Sequence, residues 1–348
     1  MAAAGKKAGE LRTTGDVVLW WLRRVEQKYP ANSDYRKNVV SMAKVNILPA
    51  LARVAIKKLD RRVVDDKLIW RMGGDGKKPA TQQKAIQVLR RAFATAEKTG
   101  RIKINPMASI TFKDFDSAPI KSKPAALSRI DLPPLVAQLS EAFDKDPVNG
   151  LLPLMMLAHG TRISETLKAT WAHISRAERF WVIPANKSSR LHELPLTPQV
   201  LALLARYRAA LPDARAQGDW VFPVRGGARL SATTAHSMFR AISGGKWSSH
   251  DLRKLMRASL SELGVDHFIG ERLINHSLGK TAETYLTRDV AGRCREALEL
   301  WHARLDECGF AIAHGLNVAA AASPQTAGGL DAAGAPGVSS VFTGRGCI

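Results

Sequence analysis

Apolar residues recur at helical spacing through the first third of the chain. Val17, Val18, Trp20, Trp21, Leu22 and Val25 follow Asp16, whose short carboxylate suits a helix N-cap. Ala85, Ile86, Val88, Leu89, Ala92, Phe93 and Ala96 form the stripe of a helix predicted over residues 81–98, with Lys84, Arg90, Arg91 and Lys98 lying away from most of it. Asn105-Pro106 closes this basic helical region. Residues 113–126 carry Lys, Pro, Ser and Asp with little apolar periodicity and read as a linker. From residue 127 the pattern mixes periods. An unbroken apolar run at 151–158 predicts a buried helix, 180–183 and 192–196 predict short strands, and helices are expected at 198–209, 232–242, 249–263 and 290–306. From Ala311 onward Ala, Gly, Ser and Pro dominate, with too few large side chains to offset the entropy of ordering.

The expected organisation is a flexible basic arm at 1–14, a helical domain at 15–112, a linker at 113–126, a second domain at 127–306 and a disordered tail at 307–348. The fold class is mainly α, with a small β-sheet in the second domain. Only a dozen or so residues precede the helical domain, so a short arm through Lys6, Lys7 and Arg12 is expected rather than a further arm-type domain.

Charge narrows the partner. A formal net charge of +21 favours a polyanion, and nucleic acid above an acidic protein or a membrane surface, because cations that neutralise phosphates release counterions. The three cysteines, Cys294, Cys308 and Cys347, make no CxxC pair, and no acidic or histidine-rich metal cluster is visible, so neither metal nor cofactor is expected. Residues 1–12 have no apolar segment of the secretory kind, and the run at 151–158 is too short to span a bilayer. The expectation is a cytoplasmic protein with no membrane partner.

A spaced set of side chains suits phosphodiester chemistry. Arg162 follows Gly160-Thr161 at a predicted helix start, where a guanidinium is able to hold phosphate oxygens. Arg253 shares a helix face with His250 beside the apolar side of Leu252, Leu255, Met256, Ser259, Leu260 and Leu263. Ser249 as N-cap would put His250 in the first turn, where the helix dipole disfavours imidazolium and leaves a neutral ring able to accept a proton. Lys187 falls between the two strands, at the turn of an expected hairpin, and could donate a proton to a departing oxygen. His276 follows Leu273-Ile274-Asn275, and Tyr285 is one of four tyrosines. Each residue also has a plain structural reading: a surface arginine, a helix-end histidine, an exposed turn lysine, a core or loop histidine, a packing tyrosine. Asp251 and Glu165 read as helix-start or supporting partners rather than metal ligands.

The order Arg162, Lys187, His250-Asp251-Leu252-Arg253, Asn275-His276-Ser277, Tyr285 resembles the tyrosine recombinases, the phage integrases in particular. The resemblance covers residues 127–306 and, more weakly, the helical region before them. It implies a two-domain C-shaped clamp on double-stranded DNA, with Arg162, His250, Arg253 and His276 as phosphate-binding and proton-transfer residues, Lys187 as the hairpin lysine and Tyr285 as nucleophile. It further implies a 3′-phosphotyrosyl intermediate, a Holliday junction and a homo-tetramer on DNA in a bacterial host cell. Accessory DNA-bending or directionality proteins belong to the same expectation, and residues 290–306 are the candidate helix for docking on a neighbouring protomer. His159 before Gly160 and Asn275 before His276 depart from the usual small residues. Two other readings stand beside it: a related topoisomerase or resolvase, and a DNA-binding protein that keeps the fold without turnover.

Overall fold

The computed structural model describes residues 11–115, 120, 124–184, 191–212, 218–276 and 290–316. The chain divides into two compact units, Met1–Lys123 and Pro124–Ile348. Among the described residues no helix is long and apolar enough to cross a membrane.

The first unit is helical. Helix α1 (Thr14–Lys28) is capped by Thr13, not by the expected Asp16: the Asp16 amide donates to Thr13 Oγ1 at 3.1 Å and the Thr13 amide to Asp16 Oδ2 at 2.9 Å. The reciprocal box satisfies two end amides at once, which an aspartate at the cap itself would not do. Gly15 then lies against the Ala52 backbone, where a Cβ would come within 2.7 Å of the Ala52 carbonyl oxygen. Helix α2 (Asp34–Met42) runs on through a π-helical turn at Ala43–Ile47 and a final turn at Leu48–Leu51, and α3 (Arg61–Val64) likewise continues through Asp65–Ile69 to Trp70–Gly74. Helix α4 (Pro79–Lys98) begins two residues before the predicted start, because Pro79 fits a first turn whose amide needs no partner. Its stripe is buried as expected, and Lys84, Arg90, Arg91 and Lys98 are exposed. Phe112 and Phe115 complete this core, so the chain is still packed where the linker was expected to begin.

The second unit is built around one buried helix. Helix α5 (Leu132–Lys145), which the periodicity reading passed over, pairs with α6 (Pro147–His159). Every residue of α6 from Gly150 to His159 is buried, as an all-apolar helix demands. Gly150 permits the close pairing, since a Cβ there would sit 2.2 Å from the Phe143 Cα. The short α7 (Ile163–Thr166) follows, then the antiparallel strands β1 (Ile174–Ser175), β2 (Phe180–Ile183) and β3 (His192–Pro195) in that order. Phe180 pairs with Pro195 and Ile183 with His192, so residues 184–191 connect two paired strands. Helices α8 (Pro198–Ala210), α9 (Ala232–Ser243), α10 (Ser249–Glu262) and α11 (His267–Leu273) precede α12 (Val290–Glu307) and α13 (Ala311–His314).

Helix α12 lies in the core of its own chain. The last carbonyls of any helix lack internal partners; here Trp301 Nε1 donates to the Leu157 carbonyl at 3.1 Å and His302 Nε2 to that of Ala158 at 3.0 Å. Thr197 Oγ1 donates to His302 Nδ1 at 2.7 Å, which fixes the tautomer. Of the apolar residues expected to dock on a neighbouring protomer, Ala297, Leu298, Trp301 and Leu305 are buried within the chain, while Leu300 is 52% exposed. Order also runs past residue 306. Phe310 and Ala313 are buried, and Arg206 donates to the carbonyls of Ile312 and Ala313 at 2.8 Å each, so α13 belongs to this unit and the tail expected from 307 starts too early.

Burial holds His159 down to a pKa of about 3 and His302 to about 4, and nearby His302 adds to the effect on His159. Both folded values lie below that of an unfolded histidine, so the stability they carry is complete above about pH 6.5 and falls as pH drops from there towards 4. At pH 5 each contributes a loss of about 2 kcal/mol. Urea unfolding of the full chain should show a lower midpoint at pH 5 than at pH 7, with a smaller difference in His302→Gln.

Candidate active site

The loop after α6 and the start of α10 form the candidate site. Gly160 ends α6 in the left-handed region (φ 61°), and a Cβ there would lie 2.8 Å from Met256 Sδ and 3.0 Å from Ile274 Cγ2. This glycine is needed for both its conformation and its space. It turns the chain so that Arg162 caps α7, where its amide donates to Glu165 Oε2 at 2.9 Å and its Nη1 to Oε1 at 2.8 Å. The Glu165 side chain is 3% exposed and that of Arg162 43% exposed, so a buried carboxylate steers a guanidinium that reaches solvent. The expectation that Glu165 supports Arg162 agrees with this pairing.

Arg253, one turn from His250 on α10, is buried and only 3% exposed. The side of α10 adjacent to its apolar stripe is covered by the Gly160 turn, and Arg253 Nη1 donates to the Gly160 carbonyl at 2.7 Å. Its Nη2 is buried without a hydrogen-bond partner among the described residues. Burial and the adjacent Arg162 charge lower its pKa to about 10, which leaves it charged at neutral pH. A buried cationic donor with nothing to bond is costly alone and well suited to receive an anion.

His250 is exposed in the first turn of α10, but the cap is Ser248. The Ser248 amide and hydroxyl donate to Asp251 Oδ2 at 3.0 and 2.6 Å, a box that moves the helix start one residue ahead of the expected Ser249. Asp251 is therefore a helix-start partner, as expected. The His250 pKa is lowered by partial loss of water and by the charges of Lys254, Arg253 and Arg162, so the ring is neutral near pH 7. Its shared electrostatics with both arginines puts the three in one locality.

Asn275 ties His276 to this group. Its φ of 55° is left-handed, a conformation asparagine adopts more readily than most residues. Its backbone carbonyl accepts from Arg162 Nη1 at 3.3 Å, and its side-chain Nδ2 donates to Glu165 Oε1 at 3.4 Å. The His276 ring, 43% exposed, meets Glu271 Oε2 through Nδ1 at 2.5 Å. Arg162, His250, Arg253 and His276 are thereby linked through contacts and shared fields, whereas Lys187 and Tyr285 lie outside the described residues. The sequence reading missed Glu271 as His276's partner; a glutamate five residues ahead of a candidate histidine, on a short helix, was the available signal. His159 and His192 take no part in the open site. His192 Nε2 donates to the Leu273 carbonyl at 3.1 Å, and His159 Nε2 to that of Pro195 at 3.3 Å. No group of three or more potential metal ligands occurs among the described residues.

Residues 134–291 match the family described as the phage integrase family. No curated protein matches the chain. Among solved structures, it is similar to a lambda integrase dimer bound to a COC′ core site, with a TM-score of 0.61 and 17% identity over 81% of this chain and 78% of that one. It is also similar to the Tn1549 transposon integrase in complex with circular intermediate DNA, with a TM-score of 0.62 and 16% identity over 82% of this chain and 99% of that one. A lambda integrase tetramer bound to a Holliday junction gives a TM-score of 0.60 and 15% identity, covering 80% of each chain. At these identities the likeness establishes a shared fold.

The left-handed turn at Asn275 yields a prediction. Asn275→Gly and Asn275→Val both give up the long side-chain bond to Glu165, but only valine is strained there, so Asn275→Val should be about 1–2 kcal/mol less stable than Asn275→Gly by thermal or urea unfolding, the cost of a β-branched residue at positive φ.

Proposed function

With residues 134–291 belonging to the phage integrase family, we propose that this chain is a tyrosine-type site-specific DNA recombinase that cuts and rejoins strands through a covalent intermediate. The observation that carries the chemistry is the buried Arg253, whose Nη2 has no hydrogen-bond partner among the described residues, beside Arg162. Two guanidinium groups so placed suit a scissile phosphate: Arg162 is held by Glu165, Arg253 by the Gly160 carbonyl, and each keeps donors for non-bridging oxygens.

In this reading the Tyr285 phenolic oxygen attacks phosphorus, forming a 3′-phosphotyrosyl bond as the bond to the 5′ oxygen breaks. Neutral His250 accepts the phenol proton, and Lys187 supplies a proton to the leaving oxygen, which departs as a 5′-hydroxyl. His276 adds a further contact to the phosphate. The ester conserves the bond energy, so the 5′-hydroxyl of a partner strand attacks it and restores a phosphodiester without ATP. The chain acts on double-stranded attachment or recombination sites. A pair of such exchanges passes through a Holliday junction in a homo-tetramer, the assembly named for one of the similar lambda integrase structures. Work on a phage or other mobile element in a bacterial cytoplasm, with accessory bending or directionality proteins, fits the same reading.

A nicked suicide duplex carrying the native site tests the proposal. Wild type should give a covalent protein–DNA adduct on denaturing gels. Tyr285→Phe should abolish it and Tyr207→Phe should not, since Tyr207 is buried and donates to the Val221 carbonyl; an adduct surviving in Tyr285→Phe would refute the assignment. Joining of two separate sites, as opposed to relaxation of supercoils alone, distinguishes a recombinase from a topoisomerase.

Arg253→Lys should lower the cleavage rate about 10²-fold or more while DNA affinity changes far less, because an ammonium cannot both hold the Gly160 carbonyl and present a fork to phosphate. Equal losses in single-turnover cleavage and in equilibrium binding would argue against transition-state stabilisation.

A further inference from the structure

His276 is not a free surface histidine. Its backbone amide donates to the Glu271 carbonyl at 3.0 Å, and its ring Nδ1 meets the carboxylate of the same residue at 2.5 Å. Glu271 is itself fixed from behind: Arg257 Nε donates to Glu271 Oε1 at 2.7 Å, and both side chains are less than a fifth exposed. Arg257 is locked in turn, donating through Nη1 to Ser261 Oγ at 2.5 Å and meeting His267 Nδ1 through Nη2 at 3.0 Å. It lies against Gly270, where a Cβ would stand 2.9 Å from the Arg257 Cζ. Any larger residue at 270 would push the guanidinium off its carboxylate. Two helices, α10 and α11, thus brace one imidazole.

The hydrogen-bond inventory fixes the direction of this chain. An ionised carboxylate only accepts, so the proton between Glu271 and His276 resides on Nδ1. Nε2 is left as the ring atom free to face a ligand. We propose that Glu271, braced by Arg257, is a positioning residue for the recombination reaction: it locks the orientation and tautomer of His276 so that Nε2 meets the scissile phosphate. This rests on the role given to His276 above. Although loss of water opposes it, the Glu271 pKa is lowered overall through its bonds to Arg257 and His276, consistent with a carboxylate that stays ionised. The other charges around the ring are Arg162, which bonds the Asn275 carbonyl, Glu165, which accepts from the Asn275 side-chain amide, and Arg253, which feels the Glu271 charge. Glu271 is the carboxylate in direct contact with the ring.

Glu271→Gln, Glu271→Ala and wild type of the full chain test this by two separate readouts. In ¹⁵N-detected NMR of the imidazole, neutral His276 should carry its proton on Nδ1 in wild type and shift towards the Nε2–H form in Glu271→Ala. Single-turnover cleavage of the suicide duplex should fall about tenfold or more in Glu271→Ala with DNA affinity within about twofold. Glu271→Gln keeps an acceptor oxygen without the charge. It should retain the Nδ1–H tautomer and recover part of the rate. An unchanged tautomer in Glu271→Ala, a Glu271→Gln rate no higher than that of Glu271→Ala, or cleavage and binding that fall together would overturn the proposal. If Glu271→Ala does not fold, the isosteric Gln variant decides: its cleavage should fall below wild type with DNA affinity and the Nδ1–H tautomer held, and a loss of affinity as large as the loss of cleavage would overturn the proposal. Failure of wild type to form any Tyr285 adduct would instead remove the recombinase reading, and the NMR readout would still report on the Glu271–His276 pair.

Discussion

The carboxyl end of the buried helix α6 is where fold and site meet. A helix that ends inside a protein leaves its last carbonyls without internal partners, and in apolar surroundings that deficit has to be met by neighbouring side chains. Trp301 and His302 meet it at Leu157 and Ala158, and Arg253 does so one step beyond, at Gly160. The first two bonds bring α12 into the core. The third fixes a cation at the base of the candidate site, so the same requirement that closes the fold also aims the chemistry.

That arrangement has an electrostatic consequence. Arg253 occupies a setting that lowers its pKa, with water largely excluded and Arg162 close by, and one of its nitrogens has no acceptor among the described residues. An anion bound there would relieve both the repulsion and the missing hydrogen bond. Glu165 and Glu271 keep the locality from being uniformly positive, yet each is already engaged, the one with Arg162 and the other with Arg257 and His276. The carboxylates therefore orient the cationic groups and leave their outward-facing donors available.

Much of this was legible in the chain. The apolar run at 151–158 predicted the buried helix, the short stretches at 180–183 and 192–196 predicted the paired strands, and the stripe of α4 was buried as its spacing required. Helix starts were less legible. Thr13 rather than Asp16, and Ser248 rather than Ser249, are the caps, because a residue three positions on decides which candidate closes a reciprocal box. The placement of residues 290–306 was hidden as well: Trp301 and His302 are drawn into the core by carbonyls that a distant helix leaves bare, and no spacing along the chain shows that.

The sequence by itself determined several of the elements, the net positive charge that favours a polyanionic partner and the spaced Arg162, Lys187, His250, Arg253, His276 and Tyr285 that carry the family likeness, since periodicity, composition and order are properties of a line. Only the tertiary structure decided that Arg253 is buried against Gly160, that Asn275 links His276 to Arg162, and that Glu271 and Arg257 stand behind the histidine. Those facts depend on hydrogen-bond partners separated by 5 to 113 positions along the chain. No local pattern encodes the pairs 14 to 113 positions apart, because what selects them is the cost of leaving a buried polar group unmatched.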